Sequence, residues 1–192
     1  MTLRTITTAV LGAVLALTTG SAHAVLVGPS LGVAQLRVQD PDGPTQSQNR
    51  LTPGATLILG LDTDTRMMVD VYHQTAHLNG TTQDIGQSVT STGGHLIFQK
   101  QFPVTYQWHP WLGIGAGYAQ ESFTNRYTVD SQGYLANRYP DRSANPVSVV
   151  VNGTTDWTLN RSWRLGATVQ YEYPLTSGIR ELSVSLMALY RL

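Results

Sequence analysis

The chain has 192 residues, enough for one domain, and its twelve basic residues balance twelve acidic ones, so no polyanion and no nucleic-acid partner is implied. It has no cysteine, which excludes a disulfide framework, thiolate chemistry and a lipid-modified N-terminal Cys. Charged residues make up only 12%, against roughly 25% in an ordinary soluble domain.

Residues 1–24 read as a secretory signal peptide: Arg4 in the n-region, an apolar run from Ala9 to Leu17, and Ala22-His23-Ala24 as the A-x-A site cut after Ala24. Residues 25–192 then form one domain. Beyond the leader no apolar run is long enough for a spanning helix. Low charge, 18 glycines and no membrane helix favour strands crossing a bilayer.

Period-2 alternation marks the strands. Leu31–Gln39 sets Ala34, Leu36 and Val38 against Val33, Gln35, Arg37 and Gln39. Asp40–Asn49 is rich in turn formers and reads as a loop. Ala55–Leu61 is a second strand, Asp62–Thr65 a tight turn, and Met67–Gln74 a third strand with Asp70 and Tyr72 on one face. Thr75–Gly94 reads as a long polar loop. Leu96–Trp108 is a fourth strand, irregular at Pro103, which cannot donate a ladder hydrogen bond. After His109-Pro110, Trp111–Ala119 turns a nearly all-glycine face inward, leaving room for large side chains opposite. Gln120–Asn145 reads as a polar loop. Val147–Leu159 and Trp163–Tyr173 flank the turn Asn160–Ser162, with Asp156, Arg164 and Glu172 inward. Pro174–Arg180 leads to the last strand, Glu181–Leu192. There Leu182, Val184, Leu186, Ala188, Tyr190 and Leu192 face out, opposite Ser183, Ser185, Met187, Leu189 and Arg191.

These strands predict an all-β fold: an eight-stranded antiparallel up-and-down transmembrane β-barrel, its last strand pairing with its first. Long connections alternate with short ones, as outer loops and periplasmic turns do in outer-membrane barrels. Trp108, Trp157 and Trp163 flank the short turns with Tyr190. Tyr118, Tyr171 and Tyr173 lie towards the other rim. Two such aromatic girdles are expected at the two membrane interfaces. Trp111 points inward in this register. The inward charges Arg37, Asp70, Asp156, Arg164, Glu172 and Arg191 must pair, because an unpaired buried charge is costly. Asp156, Arg164 and Arg191 are expected to form a salt-bridged plug at the periplasmic end.

Three stretches resemble the small eight-stranded outer-membrane barrels of Gram-negative bacteria, the OmpW-like and opacity-type proteins: Phe102–Phe123, Thr154–Tyr173 and Leu186–Leu192. The resemblance implies an integral outer-membrane, porin-like protein. It implies that Val184, Leu186, Ala188, Tyr190 and Leu192 form the signal read by the barrel-assembly machinery, with Leu192 in place of the usual Phe. The implied partners are outer-membrane lipid and lipopolysaccharide, periplasmic chaperones and that machinery. No nucleotide loop is present, and His73 and His77 share a face without a clear third ligand, so no cofactor, metal or catalytic residue is expected.

Three readings of function follow. An OmpW-like protein binds or passes small apolar molecules, and requires a lumen that opens sideways. A structural or surface-interaction barrel, touching lipopolysaccharide or a partner through its outer loops, is marked by a lumen closed by ion pairs. A lipid-modifying enzyme requires Ser and His in reach at the outer rim. A wide diffusion pore does not fit eight strands.

Overall fold

The computed structural model describes residues 24–38, 43–102, 110–176 and 178–192. Ten strands form in chain order: β1 Ala24–Val38, β2 Gln46–Gly60, β3 Thr65–Leu78, β4 Gly86–Gln101, β5 Trp111–Val129, β6 Leu135–Tyr139, β7 Arg142–Ala144, β8 Val147–Thr158, β9 Trp163–Pro174 and β10 Ile179–Arg191. The order β4-β3-β2-β1-β10-β9-β8-β5 closes through the pairing of β4 with β5, giving an antiparallel barrel of eight strands. β6 and β7 lie outside this ring and pair with the far half of β5. The seam runs β1 to β10, from Leu26 opposite Arg191 to Val38 opposite Ile179.

On β5, β9 and β10 alternation sorts the wall as the sequence reading expects, with Leu112, Ile114, Val169, Val184 and Leu186 exposed on the outside, whereas on β1 the phase is opposite and Leu31 and Val33 face out. Such a band faces hydrocarbon, and closing the ring leaves no backbone edge unpaired within it. The strands, however, outrun the expected ones. β2 begins at Gln46, inside the expected loop 40–49. The expected loop 75–94 is mostly strand, because β3 continues to Leu78 and β4 starts at Gly86. The expected loop 120–145 is an arm made of the end of β5 with β6 and β7.

These extensions share one cause. Where the wall projects past the membrane, its outward face meets water and its inward face still needs a core. The polar-outward residues then read as loop. Ala24 and Leu192 lie at one end with the turns 61–64 and 159–162, and the arm projects from the other. Expectations that fall on residues 103–109, including Pro103 and the Trp108 girdle position, lie outside the described residues, as does Ala22. Ala24 opens β1.

Candidate functional site

The lumen is filled in four layers. At the end with Ala24 and Leu192, Arg66 donates from Nη1 to Asp156 Oδ1 at 2.9 Å and from Nε to Gln99 Oε1 at 2.6 Å. Arg164 Nη1 donates to Asp156 Oδ2 at 3.1 Å. The Arg66 guanidinium also stacks 3.9 Å from the centroid of the inward Trp111. Gln99 extends the network to Asn152 and Thr154. Asp156 and Arg164 were both expected here. Arg191 is exposed at the rim, and the second arginine on Asp156 is Arg66 instead. Alternation counted back one step from Met68 places Arg66 inward, so that signal was present.

Above this network an apolar layer joins Leu26, Ile58, Met68, Ile97, Val150, Met187 and Leu189 from six strands, all nearly inaccessible. The glycines of β5 make room for it and for its polar neighbours. A Cβ on Gly113 would stand 2.5 Å from Asn152 Oδ1 and 2.7 Å from Gln99 Cγ. One on Gly117 would stand 2.8 Å from His95 Cδ2.

The third layer is polar. His95 Nε2 bonds Glu172 Oε2 at 3.0 Å, and Gln170 meets His95 Nδ1 at 3.1 Å. Ser148 donates to Glu172 at 2.5 Å. Tyr72 stacks on the His95 ring with centroids 5.0 Å apart. Asp70 accepts from Thr56 at 2.7 Å. Glu181 accepts from Gln74 at 2.9 Å and pairs with Arg50 at 3.4 Å. Asp70 and Glu172 were expected inside. Arg50, His95 and Glu181 were not, because Arg50 and His95 border stretches that read as loops. Between these groups lies a cavity of about 40 Å³ lined by Asp70, Tyr72, His95, Gln170 and Glu181. That is room for a few waters.

The fourth layer is a second apolar seal of Leu36, Val38, Ala76, Leu78, Val89, Phe123 and Ile179. It inverts the polarity expected of β1. Leu36 and Val38 fill the lumen, so Arg37 is turned to the outside and exposed. The expectation of an inward Arg37 is thereby corrected. Past Tyr118 the outward face of β5 becomes Gln120, Ser122 and Thr124, so this part stands beyond the apolar band. Here Glu121 accepts from the Ile179 N–H at 3.2 Å. Burial pushes its carboxyl up to about 7, against the opposing pull of the Ile179 N–H and of Arg142 and Arg50.

Further out, the arm forms a concavity of about 660 Å³ lined by Asn125, Arg126, Tyr127, Leu135, Arg138, Tyr139 and Asp141. Asn125 takes φ +53° there, with its N–H held by Asp141 Oδ1 at 3.0 Å. Arg142 stacks 3.9 Å from the Phe123 ring centroid and so ties the arm to the upper seal.

On the outer wall, Trp157, Trp163 and Tyr190 are exposed towards the end with Leu192, with Trp163 and Tyr190 in edge contact. Tyr118, Tyr171 and Tyr173 are exposed towards the arm. Val184, Leu186, Ala188 and Tyr190 follow one another along the outward face of β10, and Leu192 is exposed just beyond it. His73 Nδ1 meets Thr92 Oγ1 at 2.7 Å and His77 Nδ1 meets Ser88 Oγ at 3.0 Å, both on exposed surface. No group of three potential metal ligands forms among the described residues.

Solved structures share this architecture. OprG of Pseudomonas aeruginosa superposes with a TM-score of 0.57 at 10% identity, covering 88% of this chain and 95% of its own. Neisserial surface protein A gives 0.52 at 16% identity, covering 88% and 96%. Ail, the attachment invasion locus protein of Yersinia pestis, gives 0.52 at 15% identity, covering 88% and 99%. These are outer-membrane barrels or surface proteins, and the likeness is one of fold. No curated protein matches by sequence. The protein is an integral outer-membrane β-barrel. Residues 8–181 match the family profile described as MltA-interacting protein MipA. That match covers well over half of the chain and ends just inside β10, and with it the chain belongs to the MltA-interacting protein MipA family.

Proposed function

We propose that this protein is an interaction barrel, a filled scaffold that presents its rims and outer wall to partners and conducts nothing through its lumen. The observation that carries this reading is the pair of apolar layers bracketing a 40 Å³ polar cavity, with ion pairs beneath. An OmpW-like conduit needs an apolar path with a lateral exit, and the filled lumen offers none. The enzyme reading has one favourable observation, the His77–Ser88 contact. Among the described residues the outward faces of the barrel strands carry no carboxylate to orient the imidazole.

The family description names MltA as a partner of MipA, which supports a protein partner for this chain as well. Export through a leader of residues 1–24 and recognition of the Val184–Leu192 outward column by the assembly machinery complete the proposed route to the membrane. The test is planar-bilayer recording of the purified, refolded protein, with solute uptake into vesicles in parallel. No conductance and no uptake are expected. Reproducible steps or uptake of small apolar solutes would return the conduit reading to first place.

A further inference from the structure

The outward faces of the eight barrel strands are almost free of charge. Every strand carboxylate of the wall turns inward: Asp70, Glu121, Asp156, Glu172 and Glu181. Three cations face out in the described residues of the eight barrel strands: Arg37, Lys100 and Arg180. Lys100 sits by the turn 61–64 and pairs with Asp64 at 3.6 Å. The other two are direct register partners across the β1–β10 seam, Arg37 opposite Arg180. Direct partners on antiparallel strands lie about 4.5–5.5 Å apart, and like charges placed so are destabilising. Neither arginine makes an ion pair among the described residues.

The position of the pair says what it faces. Along the seam, Leu182, Val184 and Leu186 form the apolar column directly below, opposite Gln35, Val33 and Leu31. Arg180 Cζ lies 4.8 Å over the ring of girdle residue Tyr173, and its Nη2 meets the Tyr173 hydroxyl at 3.5 Å. Aromatic girdles mark the headgroup level, so the two guanidinium groups stand where the outer leaflet presents its headgroups. Arg37 is also flanked by the exposed Ser47 on β2. Two planar forks with a hydroxyl alongside match a doubly charged phosphate, which accepts bidentate hydrogen bonds and cancels the repulsion between them.

We infer that Arg37 and Arg180, backed by Tyr173 and Ser47, form a site on the outer wall for a phosphate group of a lipopolysaccharide headgroup. The site rests on the outer-membrane placement of the barrel and is independent of whether the lumen conducts. The pair fixes the barrel to its annular lipid at the seam, the one place where the first and last strands meet.

The experiment is a titration of the detergent-folded full chain with three probes: intact lipopolysaccharide, the same lipid stripped of its phosphates, and inorganic phosphate. Heat-modifiable gel migration reports folding of every variant. Intact lipid is expected to bind, with affinity falling at least about tenfold on loss of the phosphates or in R37Q/R180Q, since a charge-assisted hydrogen bond accounts for about that factor or more. R37K/R180K keeps the charge and loses the forks, and is expected to bind with intermediate affinity. In lipid-free detergent R37Q is expected to raise the unfolding midpoint, because repulsion is relieved, and with lipopolysaccharide present to lower it. Equal binding by wild type and R37Q/R180Q overturns the site. Equal binding of stripped and intact lipid overturns the phosphate, and equally tight binding of inorganic phosphate overturns the lipid.

Discussion

Asp156 is shared by two arginines that differ in how much water they see. The Arg66 side chain is 3% exposed and stacked on Trp111, while that of Arg164 is 32% exposed. Removing the carboxylate leaves a buried guanidinium without its counter-ion, which typically costs about 3–5 kcal/mol. Losing a partly solvated partner costs no more than about 1 kcal/mol. Asp156→Asn is therefore expected to lower the unfolding free energy by about 3–5 kcal/mol, and Arg164→Gln by less than about 1 kcal/mol. Urea titration of the barrel in lipid vesicles, followed by Trp fluorescence, measures both, and similar losses would show that Arg66 does not depend on this pair. At this scale the sequence was legible where one rule governs a whole strand. Asp70, Asp156, Arg164 and Glu172 each sit on a clean alternation and were assigned to the interior, where the structure places them. Arg37 was misassigned because the apolar face of β1 was taken to face lipid. Leu36 and Val38, like Leu26 further along the same face, belong to apolar layers that fill the lumen, and a local pattern cannot show which of two apolar surroundings a face meets.

At the scale of the element, β5 shows what glycine does in a narrow barrel. A Cβ on Gly115 would stand 2.0 Å from the carbonyl oxygen of Leu96 on β4, a backbone atom that cannot yield without parting the two strands. Gly153 on β8 is the contrast: its Cβ would meet only Leu112 Cδ2, at an ordinary 3.6 Å. Gly115→Ala is expected to abolish the heat-modifiable folded band. Gly153→Ala is expected to keep it and to change stability by under about 1 kcal/mol, through lower unfolded-state entropy. A normally folded Gly115→Ala barrel would show that β4 and β5 pair less closely than described. The glycine face of β5 was readable in the sequence because it repeats at period 2. Its continuation to Val129 was not, since beyond Tyr118 both polar and apolar residues serve a projecting arm whose partners, β6 and β7, are too short to leave a pattern.

For the whole molecule, the decisive property is that the two apolar layers lie in series. An ion crossing the lumen must shed water at both, and a narrow apolar constriction closes by dewetting. The higher barrier then dominates whatever is done to the other. Truncating the outer layer alone, as in Leu36→Ala/Phe123→Ala, leaves Met68, Ile97, Met187 and Leu189 closed below. Truncating the inner layer alone, as in Met68→Ala/Met187→Ala, leaves Phe123 and its neighbours closed above. Each double variant is expected to fold with reduced stability, at about 2–5 kcal/mol per buried side chain removed, and to remain electrically silent. The quadruple variant joins both openings to the polar cavity between them and is expected to show small, flickering conductance steps in a planar bilayer. Steps from either double variant would mean that the other layer is no barrier. The protein would then be one opened layer away from a channel, and the scaffold reading would lose its main support.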